Sequence, residues 1–345
     1  MHELVADALR ALGAPFSTAR LEPITLGESG CLVYRLHSGQ ETAVLKVSAR
    51  ALMPDYLRVG HPWSYLSEYR FYTELLPRLQ IPAPRLLVAG ESPQQGNFVL
   101  LEDIARRYMV PQTTHVWTTA EMLAVVETYA ALHGRAQRLL ECSHPLDWLK
   151  PDPRDAFQAE HAYAHLVTLH ENTWTRDIVA PVALHPKIQA SLHRLPHAVL
   201  TLPTTFLHSD FYPPNIGLPL EPGVPAMLLD YQLLSLGSAA LDIVNIGFLS
   251  GGQAFRNIDR ELVLRHYLQH LSEQTGVAQS ATEFSHIYPW AAILHWADYL
   301  PRFVRAIERH NCGVELWNEW LRQTLARAMR EWEQALAFTS VTPTY

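Results

Sequence analysis

In the run Leu207-His208-Ser209-Asp210-Phe211-Tyr212-Pro213-Pro214-Asn215, three polar side chains stand at a His-x-Asp-x4-Asn spacing, entered from an apolar stretch and stiffened by two prolines. Phosphoryl transfer to an alcohol requires a carboxylate that orients the hydroxyl and takes its proton, with an oxygen ligand for Mg²⁺ close by. A rigid loop carrying Asp210 and Asn215 supplies both. The same residues also describe an ordinary Asp/Asn-rich turn, so the spacing needs company. Fifteen residues after Asn215, Met227-Leu-Leu-Asp230 ends a second apolar run beyond the turn residues Glu221-Pro-Gly-Val-Pro. Hairpin-linked strands would set Asn215 and Asp230 side by side, and their oxygens could then hold Mg²⁺ against a triphosphate.

Such a loop has to hang from a frame. Residues 22–48 alternate as strands do, and Cys31-Leu-Val-Tyr-Arg-Leu and Thr42-Ala-Val-Leu-Lys-Val, parted by His37-Ser-Gly-Gln, predict a hairpin. Leu66, Tyr69, Tyr72, Leu76 and Leu79 recur at helical spacing and predict one helix from about Trp63 to Leu79, closed by Pro82 and Pro84. Apolar runs at Leu86–Ala89 and Phe98–Leu101 flank a Gly/Pro-rich turn and predict a second hairpin. After Glu102 the texture becomes helical. Thr118-x-x-Glu121 is a capping box, and Leu123, Val126, Ala130, His133, Ala136 and Leu140 follow on one helical face. Strand-like runs return only at Thr205–His208 and Ala226–Asp230, and helices resume near Leu241, Asp259, Trp290 and Gly313. With no internal repeat and no long linker, the natural boundary is a hinge near Glu102–Arg107. The expected class is α+β, with a small antiparallel sheet lobe over 1–104 and a larger, mainly helical lobe over 105–345.

The order His208-x-Asp210-x4-Asn215, Leu-Asp230-Tyr-Gln, Gly237-Ser-Ala-Ala-Leu-Asp242-Ile resembles the aminoglycoside phosphotransferase and choline kinase-like superfamily, over roughly residues 20–335. The resemblance implies a two-lobed protein-kinase-like fold, with Asp210 as catalytic base, Asn215 and Asp230 as Mg²⁺ ligands, Asp242 as a structural brace, and ATP or GTP as donor. It gives Lys46, late on a strand, the α- and β-phosphates, and pairs it with Glu68 on the following helix; Glu74 is the competing acid. Gly27-Glu-Ser29-Gly30 resembles the loop that covers the phosphates, which places Ser29 and Gly30 among the nucleotide contacts. Phe98-Val-Leu-Leu-Glu102 resembles the strand into the hinge, where main-chain groups meet the base edge. Ser209 stands where Gly is commoner. Tyr231-Gln232 stands where Trp and an acid are usual, which adds some resemblance to the ecdysteroid-kinase-like branch.

Composition narrows the alternatives. Apolar residues make up 48% of the 345 and charged ones 18%, which suits a large folded core rather than disorder. A net charge of −7 offers no basic stripe for nucleic acid. Three scattered cysteines, Cys31, Cys142 and Cys312, form neither a disulfide framework nor a zinc ribbon and fit a reducing compartment. Neither a signal peptide nor a membrane span is expected, so the reading is a cytoplasmic protein, monomer or homodimer. Of the 18 histidines, His161-x3-His165 would put two imidazoles on one helix face, but no acid stands between them and no Cys lies nearby, so zinc there is set aside. His133 reads as a core histidine. Over 283–345, seven acids (Glu283, Asp298, Glu308, Glu315, Glu319, Glu331, Glu333) nearly balance six arginines amid Trp290, Trp296, Tyr299, Phe303, Trp317 and Trp320. That balance favours a neutral, partly apolar hydroxyl acceptor, an antibiotic, natural product or metabolite, over a polycation. The rival from another class is a kinase-like protein that binds nucleotide or metabolite without turnover.

Overall fold

A computed structural model describes residues 3–12, 16–24, 30–54, 58, 61–92, 96–142, 146–152, 158–200, 203–250, 253–310 and 315–339, without the side chains of 3–4, 92, 196–200, 250, 306, 308–310, 315–321 and 338–339. The chain divides into two compact units. The first joins Met1–Lys150, Thr205–Leu236 and Asn257–Ala278; the second joins Pro151–Thr204, Gly237–Arg256 and Gln279–Tyr345.

Both expected hairpins form, and with one further strand they make an antiparallel sheet. Its strands are β1 (Arg20–Pro23), β2 (Leu32–Ser38), β3 (Glu41–Ser48), β4 (Leu86–Ser92) and β5 (Gly96–Glu102), in the order β1-β2-β3-β5-β4. Alternation along β3 sends Ala43, Leu45 and Val47 to one face, where they join Leu36, Leu100 and helix α1 (Glu3–Leu12) in a buried cluster. Val5, Ala8 and Leu9 of α1 supply its side at i, i+3, i+4 spacing. This helix was not anticipated. By the same alternation Lys46 and Ser48 leave by the opposite face.

The expected helix over 63–79 is present but not uniform. It runs as α2 (Ser64–Arg70), a π turn over Phe71–Leu75, and α3 (Leu76–Leu79). Pro77 is the cause. It has no N–H for the Thr73 carbonyl, the Leu76 N–H reaches back five residues to Phe71, and the widened turn accommodates the ring. Gln80, at φ 51°, closes the helix in the left-handed region before Pro82. Asn97 of β5 donates from Nδ2 to the Tyr65 carbonyl at 2.6 Å and so ties α2 to the sheet.

The later helices are α4 (Thr119–Cys142), α5 (Ala159–Glu171), α6 (Arg176–Ala183), α7 (Ile188–Leu200), α8 (Ala239–Ile246), α9 (Arg260–Thr275), α10 (Ala281–His310) and α11 (Glu315–Thr339). The capping box closes as expected: Thr118 N–H donates to Glu121 Oε2 at 2.8 Å, and the Glu121 N–H donates back to Thr118 Oγ1 at 3.3 Å. One apolar face proves too narrow a description of α4, because Thr128–Gly134 are buried all round. The helix is enclosed by α9 and by a three-stranded sheet of β6 (Tyr108–Met109), β8 (Ile216–Pro219) and β9 (Met227–Leu228). The two anticipated strand runs do not pair with each other. Thr204–Leu207 (β7) pairs with Ser235–Ser238 (β10), while β9 pairs with β8, a strand too short and Pro-ended to show in the pattern. The second unit is helical. In it Trp296 of α10 donates from Nε1 to Glu331 Oε2 of α11 at 2.5 Å. No helix among the described residues is long and apolar enough to cross a membrane.

Candidate active site

The first unit alone assembles a cluster of charged side chains around Lys46. Its Nζ lies 2.5 Å from Glu68 Oε2 on α2 and 3.1 Å from Asp230 Oδ1 beyond β9, and Lys46 and Glu68 are only 8% and 3% exposed. Glu74, the other acid considered, is turned away to Arg70 and to Trp148 Nε1 at 2.8 Å. Burial pulls the Lys46 pKa down, but the Asp230 and Glu68 carboxylates more than reverse this and hold the ammonium well above its ordinary value. Burial pushes the Glu68 carboxyl up to about 7, with Lys46 opposing and Asp230 adding to the rise. One cation thus serves two acids.

The hairpin explains why Asn215 and Asp230 meet. The register pairs Ile216 with Leu228, and the Leu229 N–H donates to the Asn215 carbonyl at 2.8 Å, so both residues emerge at the same end of β8 and β9. Asp230 leaves its strand at φ 65°, a conformation that Asp tolerates better than most residues and that aims the carboxylate at Lys46. Asn215 Nδ2 donates to Asp210 Oδ2 at 2.9 Å and to the Asp210 carbonyl at 3.3 Å. With the amide nitrogen committed to Asp210, the Asn215 oxygen is the atom left to face a cation. Ser209, at φ 62°, sits with its hydroxyl 3.2 Å from Ser235 Oγ, and His208 Nε2 lies 2.9 Å from the Leu229 carbonyl, joining the start of the loop to the strand that carries Asp230.

This donor set can be tested against Mg²⁺. Asp230 Oδ1 is shielded from solvent without a well-directed hydrogen bond, and the amide oxygen of Asn215 and the carboxylate of Asp230 are the hard oxygen donors that Mg²⁺ prefers. The residues fit the ion.

The remaining expectations are placed as follows. Gly30 has φ +79°, and a Cβ there would stand 2.2 Å from the Leu52 carbonyl oxygen, so the backbone approach admits only glycine. Ser29 lies outside the described residues. The Glu102 N–H is committed to the Arg85 carbonyl at 2.9 Å, and its carboxylate accepts from the Arg85 N–H at 3.0 Å and from Arg107 at 2.7 Å. Asp242 is buried in α8, in the second unit. His133 is fully buried with Nδ1 2.8 Å from the Tyr267 hydroxyl, a paired core residue. Trp296 and Phe303 are core, and the Trp317 and Trp320 side chains lie outside the described ones.

Two contributors were missed. Tyr231 stacks on Phe71 of the π turn at 3.5 Å between ring centroids and meets His208 edge-on at 5.1 Å, linking the helix of Glu68 to the Asp210 loop. Its place directly after Asp230, with Phe71-Tyr72 on the helix, was the available signal. Cys31 has its Sγ 2.7 Å from Ser48 Oγ and accepts from Gln232 Nε2; burial pushes the thiol up to about 12, so it is inert. Nothing local in sequence brings residues 31 and 232 together.

A model of the phosphotransferase enzyme family matches residues 20–284 of the chain. No curated protein matches its sequence. Solved structures share the fold: a microcompartment-associated aminopropanol kinase at 13% identity and TM-score 0.64, covering 99% of this chain and 100% of that one; a choline kinase from Cryptosporidium parvum at 12% and 0.59, covering 98% and 97%; and the GDP complex of wild-type aminoglycoside 2'-phosphotransferase-IIIa at 12% and 0.53, covering 98% and 100%.

Proposed function

Because the chain belongs to the phosphotransferase enzyme family and so is a small-molecule kinase, we propose that it moves the γ-phosphate of ATP or GTP to a hydroxyl of an antibiotic, natural product or metabolite, with Asp210 as base. The carrying observation is the geometry of five side chains: Lys46 between Glu68 and Asp230, and Asn215 bonded to Asp210 beside them. Residues 1–104 hold the nucleotide, with Lys46 on the α- and β-phosphates, the Gly30 loop over them and the Glu102 carbonyl near the base. Residues 105–345 supply the catalytic loop and the helical region that binds the acceptor.

The acceptor hydroxyl is oriented by Asp210, which takes its proton as the oxygen bonds to phosphorus; the bond from phosphorus to the β-phosphate oxygen breaks, leaving a phosphate ester and a nucleoside diphosphate. Asn215 fixes the Asp210 carboxylate through its 2.9 Å bond. Asn215 and Asp230 would hold Mg²⁺, which neutralises triphosphate charge when bound. Positioning and electrostatics carry most of the acceleration, so the rigid turn Pro213–Asn215 is part of the catalytic apparatus.

The test is a phosphate-release and mass-shift screen of hydroxyl acceptors with ATP and GTP in parallel, repeated with Asp210→Asn. Turnover should fall by about three orders of magnitude or more while Mg²⁺-nucleotide affinity stays near wild type. Wild-type turnover in the variant removes Asp210 from its role. Nucleotide binding with no turnover on any acceptor favours the non-catalytic binder.

A further inference from the structure

Helices α4 and α9 of the first unit carry a second group of ligating side chains, away from Lys46. His266 and His270 stand one turn apart on α9, their rings 4.3 Å apart, and Glu127 of α4 faces them. One ligand atom from each of the three lies within 4.8 Å of the others, and Glu127 Oε2 is 3.7 Å from His266 Nε2. A tetrahedral Zn²⁺ with bonds of about 2.0–2.1 Å holds its donors about 3.3 Å apart, so small rotamer changes close the set. His266 Nε2 is screened from solvent with no partner at hydrogen-bond distance, and the Glu127 carboxylate stands 3.7 Å from it. Glu273 lies 3.2 Å from His270 Nδ1, where an outer carboxylate would orient the ring and leave Nε2 for an ion. The Glu127 side chain is 48% exposed, which opens the site to solvent.

We propose that Glu127, His266 and His270 bind one divalent d-block cation of the Zn²⁺ class, with Glu273 orienting His270. Two imidazole donors and one carboxylate suit such an ion and not Mg²⁺, which takes oxygen, so the site is chemically distinct from Asn215 and Asp230. It clips α4 to α9. The same helices are joined by His133 and Tyr267, and α4 reaches the Asp230 hairpin through Thr128 Oγ1, which donates to the Ala226 carbonyl at 2.9 Å. The clip therefore stabilises the scaffold beneath the catalytic loop. The sequence offers the His-x3-His spacing three times, at His161/His165, His193/His197 and His266/His270, with the His197 side chain outside the described ones. At His161 and His165, among the described residues, no third ligating side chain completes a set.

The experiment titrates chelator-treated full-length protein with Zn²⁺ by calorimetry, records the visible spectrum with Co²⁺, and follows the melting midpoint. One equivalent should bind, the midpoint should rise, and Glu127→Gln and His270→Asn should each weaken binding by at least about 10-fold. His161→Ala/His165→Ala should bind as wild type. Mg²⁺-nucleotide affinity of each variant, measured alongside, shows that it is folded. No uptake tighter than about 0.1 mM by the wild type, or binding unchanged in His266→Ala/His270→Ala, overturns the site.

Discussion

Two carboxylates share one ammonium at the centre of the site, and the sharing has a pH signature. Glu68 is buried against Lys46 and Asp230, and its pKa rises from 4.5 to about 7, chiefly through burial. Between those values the folded chain holds a proton that the unfolded chain releases, so this contribution to stability is complete below about pH 4.5 and is lost as pH rises through about 7. Glu68→Gln cannot titrate. Wild type should show a decline of its melting midpoint across that window that Glu68→Gln lacks, and an identical pH profile in the two proteins would remove Glu68 as its source. Asp230→Ala acts on a different quantity. By leaving triphosphate charge uncompensated it should, unlike Asp210→Asn, weaken Mg²⁺-nucleotide binding, and it should abolish turnover as well. Calorimetry with Mg²⁺-nucleotide separates the two, and unchanged affinity together with unchanged turnover would make Asp230 only a turn residue.

At the scale of elements, Tyr231 keeps the helix of Glu68 and the loop of Asp210 in step. Its ring is fully buried between Phe71 and His208, while its hydroxyl is buried with no hydrogen-bond partner. Shape and polarity therefore pull in opposite directions. Tyr231→Phe keeps the stack and removes an unpaired buried hydroxyl, so it should be neutral or stabilising by about 1 kcal/mol. Tyr231→Ala should cost about 3–5 kcal/mol through the cavity it leaves and should also depress turnover, since α2 loses its contact with the loop. Urea melts of both variants decide this; equal losses would show that the ring is not the coupling. The elements also mark where sequence was readable. Regular alternation and a capping box disclosed the two hairpins and the start of α4, and the Asp210, Asn215 and Asp230 loops followed from fixed spacing. Strand β8 stayed hidden because it is short and Pro-ended, whereas the all-round burial of α4 and the choice of β10 as partner for β7 depend on partners distant in the chain. The widened turn before Pro77 had a local cause that the apolar spacing masked, because Leu76 and Leu79 keep helical period through it.

Over the whole molecule, charge bears on what the enzyme phosphorylates. The chain carries −7 overall, yet over 283–345 seven acids meet six arginines, and the second unit spends several of these groups on itself. Arg327 donates to Glu331 at 2.9 Å and lies over the Trp296 ring, Glu331 also takes the Trp296 N–H, and Arg302 and Arg322 lie over Tyr299 and Trp174. Glu331 is thus unavailable to a cationic acceptor, and the aromatic rings engage the protein's own guanidinium groups. On the proposal that this part of the chain selects the acceptor, a neutral, partly apolar alcohol suits it better than a polycation, and its affinity should follow buried apolar area. KM for such an acceptor, measured with Mg²⁺-nucleotide saturating, should change by less than about twofold from low to physiological salt, where screening acts over about 8–10 Å. A polycationic acceptor would behave oppositely, its KM climbing steeply as its ion pairs are screened. Efficient phosphorylation of a polycationic aminoglycoside with that steep climb would overturn the neutral-acceptor reading and leave phosphotransfer through Asp210 standing, because the salt slope reports on the acceptor's charge and the Asp210→Asn comparison on the base.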